Sequence, residues 1–375
     1  MKKILLLLAA ALFFIQGFSQ TDKSYYMLAG TYTSGKSKGI YVYKFNTADG
    51  SVEEISTASA SNPSFLAVSP DEKFVYSVYE DATKGKGGDV AAYAFDKQTG
   101  KLTFINRQPS GGDHPCFVAV DKTGKWVTAG NYSSGSLSLL PIEEDGSIGM
   151  VKTHIEHNGS GIDKSRQASP HVHSTFFTPD NNWLLVPDLG IDKVMIYNFE
   201  AATGTLTPGI PAFAKVTDGA GPRHLDFSPS HKYVYLIEEM GGNVVVYKYK
   251  NGELTPVQRV SALPDGFKGT IGSADIHVSP DGRFVYASNR GSSNNIAIFK
   301  VNPRNGKLSM FSLVPTGGIT PRNFSIDPSG KFLLVANQNS DNIVIFKRDV
   351  ETGHLTATGK QISIPNPVCI KWINP

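Results

Sequence analysis

A repeat of roughly 50 residues runs along almost the whole chain, and repeats at this period impose a modular ring or array. Each unit has an apolar strand, then Ser/Thr/Asp-Pro-Asp or a close variant, then a Lys, Arg or Asn, and a second apolar strand. It reads FLAVSPDEKFVYSVYE from Phe65, FVAVDKTGKWVTAGNY from Phe117 and STFFTPDNNWLLVPDL from Ser174. It returns as HLDFSPSHKYVYLIEE from His224, DIHVSPDGRFVYASNR from Asp275 and NFSIDPSGKFLLVANQ from Asn323. The turn anchors Ser69, Asp121, Thr178, Ser228, Ser279 and Asp327 are spaced 52, 57, 50, 51 and 48 residues apart. A third alternating strand, a polar turn with Gly (DKQTGKL, EAATGTL, KNGEL) and a short fourth strand complete the unit. Period-two alternation punctuated by turns at this interval predicts a four-stranded antiparallel blade.

Six units are complete. Residues 27–55 carry only the later strands of a unit, and residues 366–373 (NPVCIKWI) carry only a first strand. Joined, they make a seventh blade, which closes the ring and leaves no free sheet edge. The expected fold is all-β: one seven-bladed β-propeller domain over residues 21–375. Ahead of it, Met1-Lys2-Lys3, an apolar run from Ile4 to Ile15 and Gly17-Phe18-Ser19-Gln20 read as a signal peptide over residues 1–20. Its roughly 12 apolar residues fall short of the roughly 20 that span a bilayer. The expected address is therefore periplasmic or extracellular, with no membrane insertion after cleavage. Cys116 and Cys369 fall in blades separated by a third blade, too far apart for a disulfide, and read as small buried hydrophobes. A formal charge of +3, with Lys2 and Lys3 in the leader, shows no nucleic-acid footprint.

The first strand of a blade starts at the rim where the second ends, around the central channel. Aligned on the anchors, one mouth therefore gathers Ser64, Cys116, His173, Arg223, Ala274 and Arg322 with Glu80, Tyr132, Leu189, Glu239, Arg290 and Gln338. Matching GTYTSG to GNYSSG adds Tyr32; one position earlier stand Asn131, Asp188, Glu238, Asn289 and Asn337. Packing positions such as Val68, Val120, Phe227, Val278 and Ile326 are uniformly apolar, whereas the mouth positions differ from blade to blade. Polarity at a water-facing mouth needs no special explanation, but three arginines around one channel point to a single asymmetric site. His171-Val172-His173 can chelate zinc, yet no third ligand stands at metal spacing, so no metal and no cofactor are expected. No Gly-rich phosphate loop opens a helix. His277, mid-strand in ADIHVSP, reads equally as a core histidine or a site residue.

GTYTSG (30–35), NPSFLAVSPD (62–71), HVHS (171–174), GPRHLDFSP (221–229), ADIHVSPDGRFVYASNR (274–290) and PRNFSIDPSGKFLLVANQ (321–338) carry a resemblance over most of the chain. The sequence resembles the lactonase-type seven-bladed propellers, the family of 6-phosphogluconolactonase and of carboxymuconate cycloisomerase. The resemblance implies a catalytic set of His173, Arg223, Glu239 and Arg290, all of them mouth residues in the anchor alignment. His171 competes with His173 for its role, and Glu238 adjoins Glu239; strand alternation admits only one of the two glutamates to the channel.

Such a set fits hydrolysis of a sugar lactone to the aldonic acid. His173 or Glu239 activates water, and Arg223 and Arg290 hold the carbonyl and acid end. Tyr32, Asn131, Tyr132, His224, Arg322 and Asn337 are the expected sugar contacts. The expected partner is a small sugar lactone or sugar acid, and the exported address admits an unphosphorylated one. A non-catalytic propeller binding glycans or proteins, and a cycloisomerase that closes a lactone, remain open alternatives.

Overall fold

The computed structural model describes residues 23–83 and 87–375; the leader expected over residues 1–20 lies outside them. Among the described residues, twenty-eight strands form seven four-stranded antiparallel sheets. In chain order the blades span 66–109, 115–156, 176–215, 222–261, 273–315 and 321–363, and the seventh pairs Pro367–Ile373 with Ser24–Thr31. That last pairing runs from Tyr26 opposite Ile373 to Thr31 opposite Pro367, so the two ends of the propeller share one blade.

The anchors mark the repeat because each ties its own turn. Side-chain oxygens of Ser69, Asp121, Thr178, Ser228, Ser279 and Asp327 each accept the backbone N–H five residues on, at 2.6 to 3.1 Å. A short polar side chain thereby supplies the partner that a two-strand turn leaves wanting. Apolar residues alternating along the strands then bury between adjacent blades, as in the cluster of Tyr235, Ile237 and Val246 with Ile276, Val285 and Phe299.

The glycine of each polar turn joins one blade to the one before it. Gly50, Gly100, Gly146, Gly204, Gly252, Gly306 and Gly353 all have positive φ. A Cβ on any of them would meet the ring of Phe332, Tyr26, Phe74, Trp126, Trp183, Tyr233 or Phe284, respectively, at 2.2 to 2.8 Å. At Gly204 φ is +67°, and the added Cβ would stand 2.2 Å from Trp126. Gly204→Ala is therefore expected to cost about 2–4 kcal/mol, the left-handed penalty plus the overlap. Gly266→Ala has φ +69° and no atom within 4 Å of the new Cβ, so it pays only the left-handed penalty. Urea midpoints of the two variants check the difference.

Cys116 and Cys369 are both buried and free, in the second and seventh blades. No helix among the described residues is long and apolar enough to cross a membrane.

Candidate active site

At one mouth of the channel the innermost strands break register. In five blades the pairing of first and second strand shifts by a residue: at Pro115/Phe117, Pro222/His224, Ser273/Ile276, Pro321/Asn323 and Gly30/Thr31. A bulge of this kind takes the extra residue out of the ladder and re-aims its side chain. Cys116, Arg223 and Arg322 are such extra residues, which turns them toward the axis. In the third blade the backbone N–H of His173 bonds the carbonyl of Pro187 at 3.1 Å and holds the same position.

Glu239 sits at the centre of the mouth. Its Oε2 accepts from Arg223 Nε at 3.1 Å and is ion-paired with Arg290 Nη2 at 2.9 Å, and its Oε1 accepts from Arg166 Nη2 at 2.7 Å. Burial pushes its carboxyl up, but Arg290, Arg223 and Arg166 outweigh burial and hold it down at about 2. Arg223 is 1% exposed and donates from Nη1 to the carbonyl of Ala274 at 2.5 Å. Burial and the guanidinia of Arg290 and Arg322 press it down to about 9, still cationic at neutral pH. Arg290 is tied by Nε to Gly272 O at 3.0 Å and by Nη2 to Ser273 O at 3.2 Å. Arg223 Nη2 and Arg290 Nη1 are thus left for a ligand among the described residues.

His173 is buried, with Nε2 4.0 Å from Glu239 Oε2. Burial, then Arg223, His224, Arg322 and Arg290, hold its pKa well below the ordinary histidine value, so the ring is neutral. The 4.0 Å gap is too long for a direct hydrogen bond. It suits one water donating to both acceptors at about 2.8 Å each.

On the other side, Arg322 lies 5.5 Å over the Tyr32 ring, and Tyr32 donates to Glu80 Oε2 at 2.9 Å. Ser64 also bonds Glu80. Four guanidinia (Arg166, Arg223, Arg290, Arg322) thus face two carboxylates (Glu80, Glu239), which leaves two positive charges in the cup.

Below the arginines the channel is plugged. The ring of His224 meets Phe65, Phe117, Phe176 and His173 edge-on, at centroid distances of 5.8, 5.3, 6.4 and 5.2 Å. Its Nδ1 bonds Asp275 Oδ1 at 2.8 Å, and burial with the charge of Arg223 lowers its pKa to about 3. Asp275 also receives Asn323 and His277, the latter at 3.1 Å. His277 is therefore ion-paired rather than packed in the apolar core.

Three sequence expectations need correcting. Asn131 and Asn337 do not face the cup: their Nδ2 atoms donate to the carbonyls of Ser110 and Thr316, each at 3.2 Å, and both side chains are fully buried. They precede the mouth position by one residue, and alternation sends them into the blade. His224 forms the floor, with its Nδ1 proton committed to Asp275, so it offers a sugar one acceptor at most. Alternation also separates the two glutamates: Glu238 turns away and takes Arg259 at 2.7 to 3.1 Å. His171 bonds the Tyr132 carbonyl at 2.9 Å and stacks on its ring at the rim, outside the contact between His173 and Glu239. His171 and His173 therefore diverge, and among the described residues no three potential ligands converge on a metal position.

Arg166 was not among the expected residues. It comes from the connection between the second and third blades, off the repeat. Its trace in the sequence is the 57-residue interval between Asp121 and Thr178, the longest of the set.

The fold and this arginine-rich cup define a propeller of the lactonase type. The chain belongs to the seven-bladed β-propeller lactonase family, whose model matches residues 26–372. It is 41% identical over 349 residues to a 6-phosphogluconolactonase of Bacillus subtilis, covering 92% of this chain and 97% of that one. A 6-phosphogluconolactonase of Formosa agariphila is 41% identical over 346 residues, with 90% and 96% covered. A solved structure from Bacteroides fragilis superposes with a TM-score of 0.90 at 44% identity, covering 95% of this chain and 99% of that one. The periplasmic gluconolactonase of Pseudomonas aeruginosa superposes with a TM-score of 0.89 at 37% identity, over 93% and 99%. The chain is accordingly an enzyme of the lactone-hydrolase class.

Proposed function

We propose that the cup opens a sugar lactone to its aldonic acid. The observation that carries this reading is the 4.0 Å gap between a neutral His173 and an ionised Glu239, beside a buried Arg223 and a partly buried Arg290 with N–H groups to spare. A water in the gap donates one hydrogen to each acceptor. His173 Nε2 takes the proton as the water oxygen bonds the lactone carbonyl carbon. The negative charge that develops on the carbonyl oxygen meets Arg223 Nη2 and Arg290 Nη1. Glu239 stabilises the imidazolium, as a carboxylate does beside a catalytic histidine. The intermediate collapses, the ring C–O bond breaks, and His173 returns the proton to the ring oxygen, which becomes a hydroxyl. The new carboxylic acid then loses its own proton to solvent.

The test is acid release from 6-phosphogluconolactone and glucono-δ-lactone in a pH-stat, above the spontaneous rate. Conversion of a muconate instead would favour lactone closure, and saturable glycan binding without turnover would favour a binding module.

The pH dependence follows from His173. Its folded pKa lies below that of an ordinary histidine, so the base stays neutral as the pH falls through 6.5. kcat/KM is expected to hold its plateau below pH 6.5 and to fall on a single acid limb well under that value. A limb at or above 6.5 would point to a different base.

Residues 1–20 act in this reading as a cleavable leader that sends the propeller over residues 21–375 out of the cytoplasm, and the likeness to a periplasmic gluconolactonase supports it. The intact mass of protein recovered from the periplasm or medium checks the cleavage point.

A further inference from the structure

Three guanidinia hold Glu239, and they are not held alike. Arg223 is buried and also tied to Ala274 O; Arg290 is tied to Gly272 O and Ser273 O. Arg166 is 45% exposed, and among the described residues its guanidinium reaches, beyond Glu239, only Tyr132 Oη, at 3.5 Å. The Glu239 end of this pair is buried, but the Arg166 end is open to solvent, so water or an anion can take the place of Glu239 as a partner of the guanidinium. The backbone beneath it is fixed, however. Gln167 is fully buried and donates from Nε2 to Leu189 O and Asp192 Oδ1, both at 2.8 Å. The backbone N–H of Gln167 bonds Asp163 O at 2.6 Å, and Asp163 Oδ1 accepts the N–H of Ser165 at 2.9 Å. The loop thus carries a half-exposed cation on a hydrogen-bonded base, at the edge of a cup that has two positive charges in excess.

We propose that Arg166 reads a negative charge on the substrate. An anionic group on the incoming lactone, phosphate or carboxylate, draws Arg166 off Glu239, and the freed carboxylate then serves His173 alone. This rests on the lactone-hydrolase reading above and adds to it a substrate class and a coupling. The anion is anchored at the rim by a planar donor suited to either group. Glu239, no longer shared three ways, stabilises the imidazolium more strongly, so binding of the charged end strengthens the base. Glu239 faces the charged Arg166, Arg223 and Arg290 and the neutral but titratable His173, and of the three guanidinia Arg166 alone has no backbone carbonyl tie among the described residues.

Steady-state kinetics of wild type, Arg166→Gln and Arg166→Lys test this with 6-phosphogluconolactone, a glucarolactone and glucono-δ-lactone, which offer a phosphate, a carboxylate and no charge. In Arg166→Gln the preference for a charged over the neutral lactone, as a ratio of kcat/KM, should fall about 10–100-fold, chiefly through KM. Arg166→Lys should restore part of it. The acid limb of kcat/KM on the neutral lactone should move up in pH, because the imidazolium has gained an undivided partner. The phosphate and carboxylate arms show which anion is read. A preference within twofold of wild type on both charged lactones, or an acid limb that stays in place, would overturn the proposal. If wild type opens none of the three, the lactonase reading fails and calorimetry with 6-phosphogluconate decides the rest. A tenfold weaker Kd in Arg166→Gln would then keep the anion role, and an equal Kd would remove it.

Discussion

His173→Gln should lower kcat on a sugar lactone by about 10²–10⁴-fold, the range a positioned general base contributes. KM should change little. Glutamine keeps a polar side chain of similar length beside Glu239 but cannot accept a proton, so the water stays hydrogen-bonded without being activated. The loss should appear across the whole pH plateau. The acid limb assigned to His173 should disappear with it, which a merely structural histidine would not produce. Stability should change in a definite direction as well. Below pH 6.5 an unfolded chain protonates this histidine while the folded chain resists it, because burial and the nearby arginines depress its pKa. The wild type therefore loses stability as the pH falls through 6.5. Glu239 adds to the loss below 4.5, since its folded carboxyl stays ionised to about 2. His173→Gln should lose less stability than wild type between pH 7 and pH 5, as read from urea midpoints at each pH.

Arg223→Lys should lower kcat/KM by about 10²–10³-fold, although the charge is kept. Arg223 offers a planar fork: Nε donates to Glu239, Nη1 to Ala274 O, and Nη2 is the donor the proposed mechanism assigns to the lactone oxygen. Lysine presents one ammonium on a flexible stem and cannot hold those three directions at once. Because the arginine is 1% exposed, the variant also leaves the Ala274 carbonyl short of a donor, and a drop in urea midpoint should accompany the loss of activity. A lysine variant within threefold of wild type would show that charge alone suffices, against the geometry described here.

The sequence was most legible where the chain repeats itself. Ser69, Asp121, Thr178, Ser228, Ser279 and Asp327 each tie the same turn, so their spacing carries blade number and phase together. Phase then brought His173, Arg223, Glu239, Arg290, Arg322 and Tyr32 to one rim. It failed by one residue at Asn131 and Asn337, because a strand turns neighbouring side chains to opposite sides and the alignment pooled two adjacent positions. The bulges also lay beyond pattern reading: an inserted residue such as Arg223 changes which face it takes without changing the hydrophobic rhythm around it. Arg166 escaped for a different reason. It comes from a connection that no other blade shares, so alignment on the repeat could not reach it, and only the longer 57-residue interval marked the place. The plug beneath the site combines positions from different blades, Phe65, Phe117, Phe176 and His224, whose meeting at the axis is a property of the closed ring.

The central claim is that water is activated between His173 and Glu239 beneath Arg223 and Arg290. The direct test is proton release from 6-phosphogluconolactone and glucono-δ-lactone by the purified propeller, with His173→Gln as the matched control at equal folded concentration. The account predicts saturable acceleration over the spontaneous rate on at least one lactone, and its near-complete loss in the variant. No acceleration on either lactone, or equal acceleration by the variant, would contradict it.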